Sequence, residues 1–507
     1  MASISIVSPP VELARKVAAA IPRDISKSPV LGILGVIIGA GVVTLTARMI
    51  PLGLADLRGD LGFSYDDGAW ISSSYNIALM FVGPFTVYVG ALLGPRRVLF
   101  FAATSFAVIC FFAPFIHSYS LLITAMVLAG LTSGTFYPLT LTFALRNTPL
   151  RYLPYTLALY ATFVDGAVNI GPSLYGWYRE HLTWHWMFWA STLITLVMML
   201  CIYYGIPKPA AAANKSAEAP SFAGFLYWSA GLAMLYAAID QGERLDWWRS
   251  GLFNALFSAG SFFILCAIVR RLRVPNPLVA VPYLRQWNTI LLGIGLFLFR
   301  FCLVTTIVLI PQSLAIHGFE ADQIGPAVIW SAIPLIFLAC VAGLLLAKKV
   351  DSRLLLAAGF ACMAFACYLN ADLTSAWSAS NYYRTELLMG VGQAFAFIGL
   401  VGAIVLQGMF SGGLAKPAWI LTFAAFFHTV RLFGGNLGTV GMVHFLAQRE
   451  KLHSNLLGLH VQRGNSITDS SIHQLTAGLH ANSAGLAASA GRATAVIGGR
   501  LRLQAYV

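Results

Sequence analysis

Apolar runs of about twenty residues follow one another along almost the whole chain, and short charged connections separate them. An α-helix needs a run of this length to cross the hydrocarbon core of a bilayer. The composition agrees, since 58% of the 507 residues are hydrophobic and only 10% are charged. That balance excludes an ordinary soluble domain. The sequence therefore predicts an all-α membrane protein.

The sequence contains thirteen of these runs, and each is predicted to be one membrane-spanning helix. The connections alternate in charge: Arg96 and Arg97 lie in a basic one, whereas Glu180 and Glu320 lie in acidic or mixed ones. Because Lys and Arg collect on the cytoplasmic side of membrane proteins, the N-terminus is predicted to be cytoplasmic. The predicted spans, numbered in order, are 29–52, 68–93, 97–117, 119–144, 155–177, 183–206, 222–240, 251–271, 288–312, 325–347, 353–371, 384–409 and 417–446.

The pattern of spans and connections also predicts how the chain is divided. A polar, alanine-rich segment after the sixth span is the best candidate for a central linker. Beyond the last span the chain is polar, and Asp469 or Ser470 is predicted to cap a helix that runs to about Val496. The predicted parts are a cytoplasmic segment 1–28, an N-terminal six-helix bundle 29–207, a cytoplasmic linker 208–221, two helices 222–271, a C-terminal bundle of five spans 288–448 and an extracytoplasmic tail 449–507.

Several function classes are excluded at this stage. The net charge of +13 does not indicate nucleic-acid binding, because the basic residues lie in the loops where membrane proteins carry them. The chain has no GxxxxGK[ST], HExxH or GxSxG motif, so neither ATP-driven transport nor an enzyme is predicted. We expect no cofactor and no metal, because no Cys or carboxylate completes a ligand set around the histidines of the tail.

The fifth span carries the polar residues that most need an explanation. Asp165 lies in the middle of an apolar run, and Asn169 follows one turn later. An ionisable side chain is costly in hydrocarbon, so Asp165 is predicted to face a polar interior. There it is either a group that takes up and releases a proton or a member of a structural ion pair. The span also contains small and helix-bending residues that allow close packing, namely Gly166, Gly171, Pro172 and Gly176.

Other spans supply further candidates for a polar cavity. Arg300 is predicted to bind an anionic substrate or to pair with Asp165, and the alternative is a local structural contact. Arg431 and His428 in span 13 are likewise predicted to line the cavity. His428 can titrate near neutral pH, but a lone His is more often a packing residue. Arg48, near the end of span 1, is either part of the cavity or extends to the membrane surface.

Amides and surface acids complete the set of polar candidates. Asn169 and Gln393 are predicted either to bind substrate or to tie helices together, and the tie is favoured. Asp56 and Asp60, beyond the end of span 1, are predicted to be solvated charges.

The motifs resemble those of a known family. The segment GAVNIGPSLYG from Gly166 to Gly176, followed by HLTWHWMFW from His181 to Trp189, resembles the antiporter motif of span 5 and the entry to span 6 in the major facilitator superfamily. The resemblance is to its branch of drug:proton antiporters with fourteen spans, the EmrB/QacA type. The segments 61–71, 240–248, 309–312, 348–353 and 431–439 agree with that branch in order and spacing.

The resemblance implies a fold and an activity. The fold would be two six-helix bundles plus two inserted helices, here the helices of 222–271. The activity would be export of small drug-like compounds across a bacterial inner membrane by proton antiport, with alternating access. A periplasmic adaptor protein and an outer-membrane channel would be partners, besides the lipid bilayer, the substrate and protons. The residues implied in cytoplasmic gating loops are Arg96, Arg97, Lys348, Lys349, Asp351 and Arg353.

The sequence also departs from the family pattern. Thr46 and Arg48 stand where the family carries an acid in span 1, and Met126 stands where span 4 carries an arginine. With thirteen spans present, a fourteenth is apparently missing, and we expect a longer natural chain. These departures indicate a divergent member. They leave two alternatives open, an ion-coupled importer of the same fold and a transport-inactive scaffold or receptor.

Overall fold

The computed structural model describes residues 29–149, 152–205, 222–273, 284–348, 350–374, 376–410, 417–461, 464–480 and 486–505. These residues form helices and connecting turns, with no β-strand among them. The α-helices are α1 (Pro29–Leu52), α2 (Leu54–Leu61), α3 (Tyr65–Leu93), α4 (Pro95–Phe112), α5 (Tyr119–Ser133), α6 (Phe136–Asn147), α7 (Leu153–His181), α8 (Trp186–Gly205), α9 (Phe222–Gln241), α10 (Gly251–Arg273), α11 (Trp287–Cys302), α12 (Ile310–Ile316), α13 (Ala321–Ile329), α14 (Ala332–Ala347), α15 (Ser352–Leu369), α16 (Tyr383–Phe410), α17 (Pro417–Gly458), α18 (Ser466–His480) and α19 (Leu486–Ala505).

An all-helical structure is suited to a bilayer, because an α-helix satisfies its own backbone hydrogen bonds where no water is present. Ten helical segments of the described residues are long and apolar enough to cross a membrane. Large apolar side chains on their outer surfaces, such as Phe101 (74% exposed) and Leu272 (81% exposed), are suited to contact with lipid. The ten segments are Val30–Leu52, Arg96–Phe115, Tyr119–Leu145, Trp186–Gly205, Phe222–Gln241, Gly251–Arg273, Trp287–Ile316, Ala321–Ala347, Ser352–Asp372 and Ala379–Ala403.

Three long helices, α3, α7 and α17, correspond to predicted spans 2, 5 and 13 but are not among those ten. They are also the helices that join the two parts of the structure. We call α1–α8 the N-terminal half and α11–α17 the C-terminal half. Helix α7 packs against α1 in its own half and against α13, α14 and α16 in the other, while α17 packs against α3 and α6. Helices α7 and α17 carry buried polar residues, among them Asp165, Asn169, His428 and Arg431, which lower the hydropathy of these helices.

Small residues allow α7 to lie directly against the C-terminal half. A Cβ atom added at Gly176 would stand 2.7 Å from the backbone oxygen of Ala321 in α13. One added at Gly325 would stand 2.6 Å from the Cα atom of Ser173. Backbones that approach this closely are typical of helix contacts within membranes. The glycines therefore set the distance between the halves along this seam.

Three predicted spans are interrupted in the structure. Span 4 is divided at Gly134 into α5 and α6, and span 10 is divided near Ser331 into α13 and α14. Span 9 contains a π-helical turn, Thr305–Leu309, between α11 and α12. At the break in span 10, the Ser331 hydroxyl donates to the backbone oxygen of Val328 at 2.7 Å. Such local hydrogen bonds compete with the regular helix and bend it.

The two helices α9 and α10 form a hairpin beside the junction. Helix α9 packs against α3 and α17, so it touches both halves. The turn after α9 also reaches both: Arg244 pairs with Asp66 at 2.7 Å, and Glu243 pairs with His444 of α17. Asn436 of α17 donates to the backbone oxygen of Tyr236 at 3.2 Å. The hairpin thus connects the halves on the side where α1 ends.

The Glu243 contact predicts a pH dependence of stability. Partial burial opposes ionisation of Glu243, but hydrogen bonds from His444 and Trp247 and the nearby positive charges outweigh it, so its pKa lies below the usual value. A carboxyl with a lowered folded-state pKa stabilises the fold above its unfolded pKa, about 4.3, and loses that contribution as the pH falls through the folded value. The range from pH 6 to pH 3 includes that pKa. Over this range, we expect the thermal unfolding midpoint of Glu243→Gln to fall less than that of the wild type. The exposed Asp246→Asn in the same turn serves as the control, and equal acid sensitivity of wild type and Glu243→Gln would contradict the prediction.

The C-terminal region differs from its prediction. Helix α17 continues to Gly458, into the segment that was predicted to be a polar tail. The predicted tail helix, capped by Asp469 or Ser470 and ending at about Val496, has the wrong bounds, because α18 begins at Ser466 and α19 continues to Ala505. At the start of α18, the Asn465 side chain accepts from the backbone N–H of Ile467 at 3.0 Å. The predicted segments 1–28 and 208–221 lie outside the described residues.

Candidate transport site

Asp165 lies at the junction of the two halves. It is 1% exposed, and neither carboxylate oxygen has a hydrogen-bond donor among the described residues. The charges of Arg300, from α11, and Arg431, from α17, act on it. A buried carboxyl without a direct donor is held only by such longer-range attraction. The structure therefore brings together an acid of the N-terminal half and two bases of the C-terminal half.

The two arginines are only partly satisfied. Arg431 is 4% exposed, and its guanidinium carbon lies 4.0 Å from the ring centroid of Tyr137 in α6. This is a cation–π contact between the halves. The Arg300 side chain packs against Gly434 and Gly435 of α17. Buried N–H donors of both arginines have no acceptor among the described residues, so they can bind an acceptor group of a ligand.

Asn169 and Gln393 make a direct link between the halves. Both are fully buried, and the Asn169 Nδ2 atom donates to the Gln393 Oε1 atom at 2.7 Å. The structure thus shows the helix tie that the sequence favoured. The Asn169 Oδ1 and Gln393 Nε2 atoms have no partner among the described residues, so this pair retains one acceptor and one donor for a further contact.

His428 lies at the contact between α17 and α3. It is fully buried, and its Nε2 atom is 3.2 Å from the backbone oxygen of Leu79. A Cβ atom added at Gly83 would stand 2.6 Å from that same nitrogen. Tyr137 lies beside it, with ring centroids 6.0 Å apart. His428 is therefore a packing and hydrogen-bonding residue on the second seam between the halves.

Arg48 does not extend to the membrane surface. Its Nη2 atom donates to the backbone oxygen of Ile307 in the π-helical turn, 2.9 Å away in the opposite half. A π-helical turn shifts backbone carbonyls out of the regular helical pattern, and Arg48 uses one of them. Thr46, at the position where the family carries an acid, instead forms a hydrogen bond of 2.8 Å with Ser191 of α8. The end of α1 thus contributes a base to the junction and no acid.

The residues of the antiporter motif have different surroundings. Gly176 lies against the backbone of α13, whereas a Cβ atom at Gly171 would stand 2.9 Å from the Cγ atom of Arg48. At Gly166 it would make an ordinary contact of 3.9 Å with Leu335. Pro172 lies within α7, which continues through it to His181. The motif therefore serves both close helix packing and the placement of Arg48.

The predicted gating loops lie on the side opposite the hairpin turn. Arg96 donates to the backbone oxygen of Tyr203 at 3.1 Å, and Arg97 is exposed. Asp351 caps α15 by accepting from the backbone N–H of Arg353 at 2.9 Å. Lys348 is exposed at the end of α14. Lys349 lies outside the described residues.

We call the side that carries Asp56, Glu180 and Glu320 the acidic side. The prediction of solvated charges is confirmed for Asp60, which is exposed, but is wrong for Asp56, which is half-buried and paired. Asp56 accepts a hydrogen bond from the Tyr175 hydroxyl and lies 3.7 Å from Arg179, and Asp60 accepts from the Trp184 indole at 3.1 Å. Arg179 also pairs with Glu320 at 3.1 Å. This ion-pair network connects α2, α7 and the start of α13 across the junction.

Sequence reasoning missed Glu386 in the first turn of α16, a carboxyl that is 0% exposed. It was missed because it lies at the start of predicted span 12, where an acid normally marks a membrane boundary. It also missed Tyr137, which lies on an aromatic-rich span without a distinguishing pattern. Among the described residues, no group of His, Cys, Asp or Glu is arranged to hold a metal ion.

Comparisons with known proteins agree with this architecture. The sequence model of the Major Facilitator Superfamily matches residues 36–439. A fatty acid resistance protein, FarB, of Neisseria gonorrhoeae is 25% identical over 409 residues, which are 80% of this chain and 78% of the relative. The multidrug export protein EmrB of Escherichia coli K12 is 24% identical over 419 residues, covering 81% and 78% of the two chains.

A solved structure supports the fold alone. The proton:xylose symporter XylE, bound to 6-bromo-6-deoxy-D-glucose, superposes with a TM-score of 0.53 at 12% identity. The match covers 81% of this chain and 87% of that protein. At such low identity the likeness carries no information on the substrate. The predicted family and fold class are confirmed: the chain belongs to the major facilitator superfamily, as a divergent relative of the EmrB-type export proteins.

Proposed function

We propose that this chain is a secondary active transporter that exports small organic compounds in exchange for protons, by alternating access between the two halves. The observation that carries the proposal is Asp165, buried at the junction without a hydrogen-bond donor and opposite Arg300 and Arg431. An intramembrane acid in such a place is a candidate proton carrier. The relatives named as export and resistance proteins support the direction of transport.

Exchange requires that substrate and proton compete for one group. The ionised Asp165 can accept a hydrogen bond from a donor on the substrate, and a proton on Asp165 removes that acceptor. The unpartnered donors of Arg300 and Arg431 would bind acceptor groups of the same compound. Because Arg48, Arg300 and Arg431 outnumber Asp165 at this junction, we propose that the substrates are uncharged or anionic compounds with a hydrogen-bond donor, and that organic cations bind poorly.

The proposal includes an orientation and partners. The basic loops would face the cytoplasm and the acidic side the periplasm of a bacterial inner membrane, with the N-terminus inside. Helices α18 and α19, of which α19 packs against α17, would then lie on the periplasmic side. They would offer a surface to a periplasmic adaptor protein and, through it, to an outer-membrane channel. Labelling of an added N-terminal tag in sealed cells and in opened cells would test the orientation.

The function is tested with Asp165→Asn in reconstituted vesicles. We expect substrate-dependent proton flux to fall about tenfold or more, because the amide accepts a hydrogen bond but cannot carry a proton. The exposed Asp372→Asn is the matched control and should retain wild-type flux. An uncharged phenolic compound should drive the flux, and a quaternary ammonium compound should not. Unchanged flux in Asp165→Asn would assign Asp165 a structural role and contradict the proposal.

A further inference from the structure

A second buried carboxyl group lies in the C-terminal half, away from Asp165. The Glu386 Oε1 atom accepts from the Thr306 hydroxyl at 3.2 Å, and the Ser331 side chain also lies near the carboxyl group, although no donor of the described residues meets hydrogen-bond geometry at Oε2. No basic side chain among the described residues forms an ion pair with Glu386. An ionised carboxylate without a counter-charge is expensive to bury. In this conformation the group is therefore expected to hold a proton.

Glu386 lies near two interruptions of regular α-helix. Thr306 belongs to the π-helical turn of span 9, and Ser331 lies at the break between α13 and α14. A Cβ atom added at Gly390, one turn after Glu386, would stand 2.9 Å from the Cα atom of Ser331. Turns of π-helix and helix breaks are frequent at functional sites. Two such elements meet around one titratable side chain.

Glu386 is not required to cap its helix. The short 3₁₀-helix before α16, Ala379–Tyr382, has its own capping box, in which Asn381 accepts from the backbone N–H of Ser378 at 2.9 Å. At this end of the helix, a backbone N–H donor thus finds its side-chain acceptor upstream of Glu386. The usual structural reason for an acid in a first helical turn does not account for its complete burial.

A cavity on the acidic side is lined by residues that neighbour Thr306 and Glu386 in the chain. Its volume is about 120 Å³, and its polar lining includes Thr305, Ser313, His317, Asn370 and Tyr382. Thr305 precedes the Thr306 donor, and Tyr382 lies one turn before Glu386. The His317 Nε2 atom and both side-chain polar atoms of Asn370 have no partner among the described residues. A polar cavity with free donors and acceptors can hold water.

We propose that Glu386 is a second proton-binding site, loaded from the acidic side through this cavity, so that two protons are exchanged per substrate. The inference rests on the proposed function. Water in the cavity delivers a proton to the Glu386 carboxylate, and the proton leaves to the basic side after the two halves have moved to the conformation that opens there. Asp165 and Glu386 then carry one proton each, in opposite halves.

The stoichiometry gives the test. With the membrane potential held at zero, each exchanged proton allows about tenfold substrate accumulation per unit of pH gradient. We expect the wild type to reach about 100-fold per pH unit and Glu386→Gln about tenfold. Glutamine has the size of glutamate and still accepts from Thr306, so the fold should persist. Glu180→Gln, an acid with a side chain that is 61% exposed, is the control and should behave as wild type.

Two results would overturn the inference. One is a wild-type ratio of about tenfold per pH unit, and the other is an equal ratio in wild type and Glu386→Gln. Infrared difference spectra of the purified protein, recorded against pH, make the test independent of transport. We expect Glu386→Gln to lack a protonated-carboxyl band that Asp165→Asn retains. If no compound drives transport in the wild type, the proposed function fails, and this band alone decides whether Glu386 binds a proton.

Discussion

Replacing Gly176 with leucine is expected to reduce substrate transport about tenfold or more while leaving close to the wild-type amount of folded protein in the membrane. The physical reason is steric. An added Cβ atom would stand 2.7 Å from the backbone oxygen of Ala321 and 2.8 Å from the Cα atom of Asp322, and the backbone cannot rotate away as a side chain can. The leucine would hold α7 and α13 apart on the acidic side.

Folding should survive this change because the seam joins the two halves, and each half keeps its own internal helix contacts. Helix α7 remains packed against α1, with Gly41 near Phe163. Alternating access requires the halves to separate on one side at a time. A variant that cannot close the acidic side would be confined to conformations open there. Transport is lost in that case without loss of the folded state.

Hydrogen–deuterium exchange locates the effect. Amides of α13, Ala321–Ile329, should exchange faster in Gly176→Leu than in wild type, and those of α15 should not change. Gly441→Leu is the control, because a Cβ atom there meets no atom within 4 Å. Wild-type transport in Gly176→Leu would show that closure of this seam is not required. Loss of the folded protein would show that the seam is a permanent part of the fold.

The sequence allowed the membrane class, the family and the principal polar residues to be predicted, because each depends on one segment at a time. A run of apolar residues identifies a span wherever its neighbours lie, and a charge in such a run is conspicuous. Asp165, Arg300 and Arg431 were found on that basis. The structure adds that these three residues, from three different helices, act on one another.

What the sequence did not predict depends on lateral contacts between helices. Nothing in the neighbourhood of Arg48 indicates that it reaches Ile307, which follows 259 residues later. Likewise, Asp56 looks solvated until α7 places Tyr175 and Arg179 beside it. Glu386 was hidden because its position at the start of a span suggested a boundary, whereas Thr306, 80 residues earlier in the chain, donates a hydrogen bond to it. Each error concerns a partner that is far away in the chain.

Replacing Gly359 with leucine is expected to abolish folded protein, in contrast to Gly176. Gly359 lies in the middle of α15, and an added Cβ atom would stand 2.6 Å from the Cα atom of Ala396 in α16. The same two helices also lie close together at Gly392, where an added Cβ atom would stand 2.8 Å from the backbone oxygen of Gly359.

Both helices belong to one half, so no step of alternating access separates them, and the clash is present in every conformation. Overpacking that forces backbone shifts costs about 1–3 kcal/mol and occasionally more, which is a large part of the net stability of a folded chain. Size-exclusion chromatography of the fluorescently tagged protein should show little monodisperse material for Gly359→Leu and a normal peak for Gly441→Leu. A normal peak for Gly359→Leu would mean that α15 can shift along α16, and that the contrast between permanent and transient helix seams does not hold.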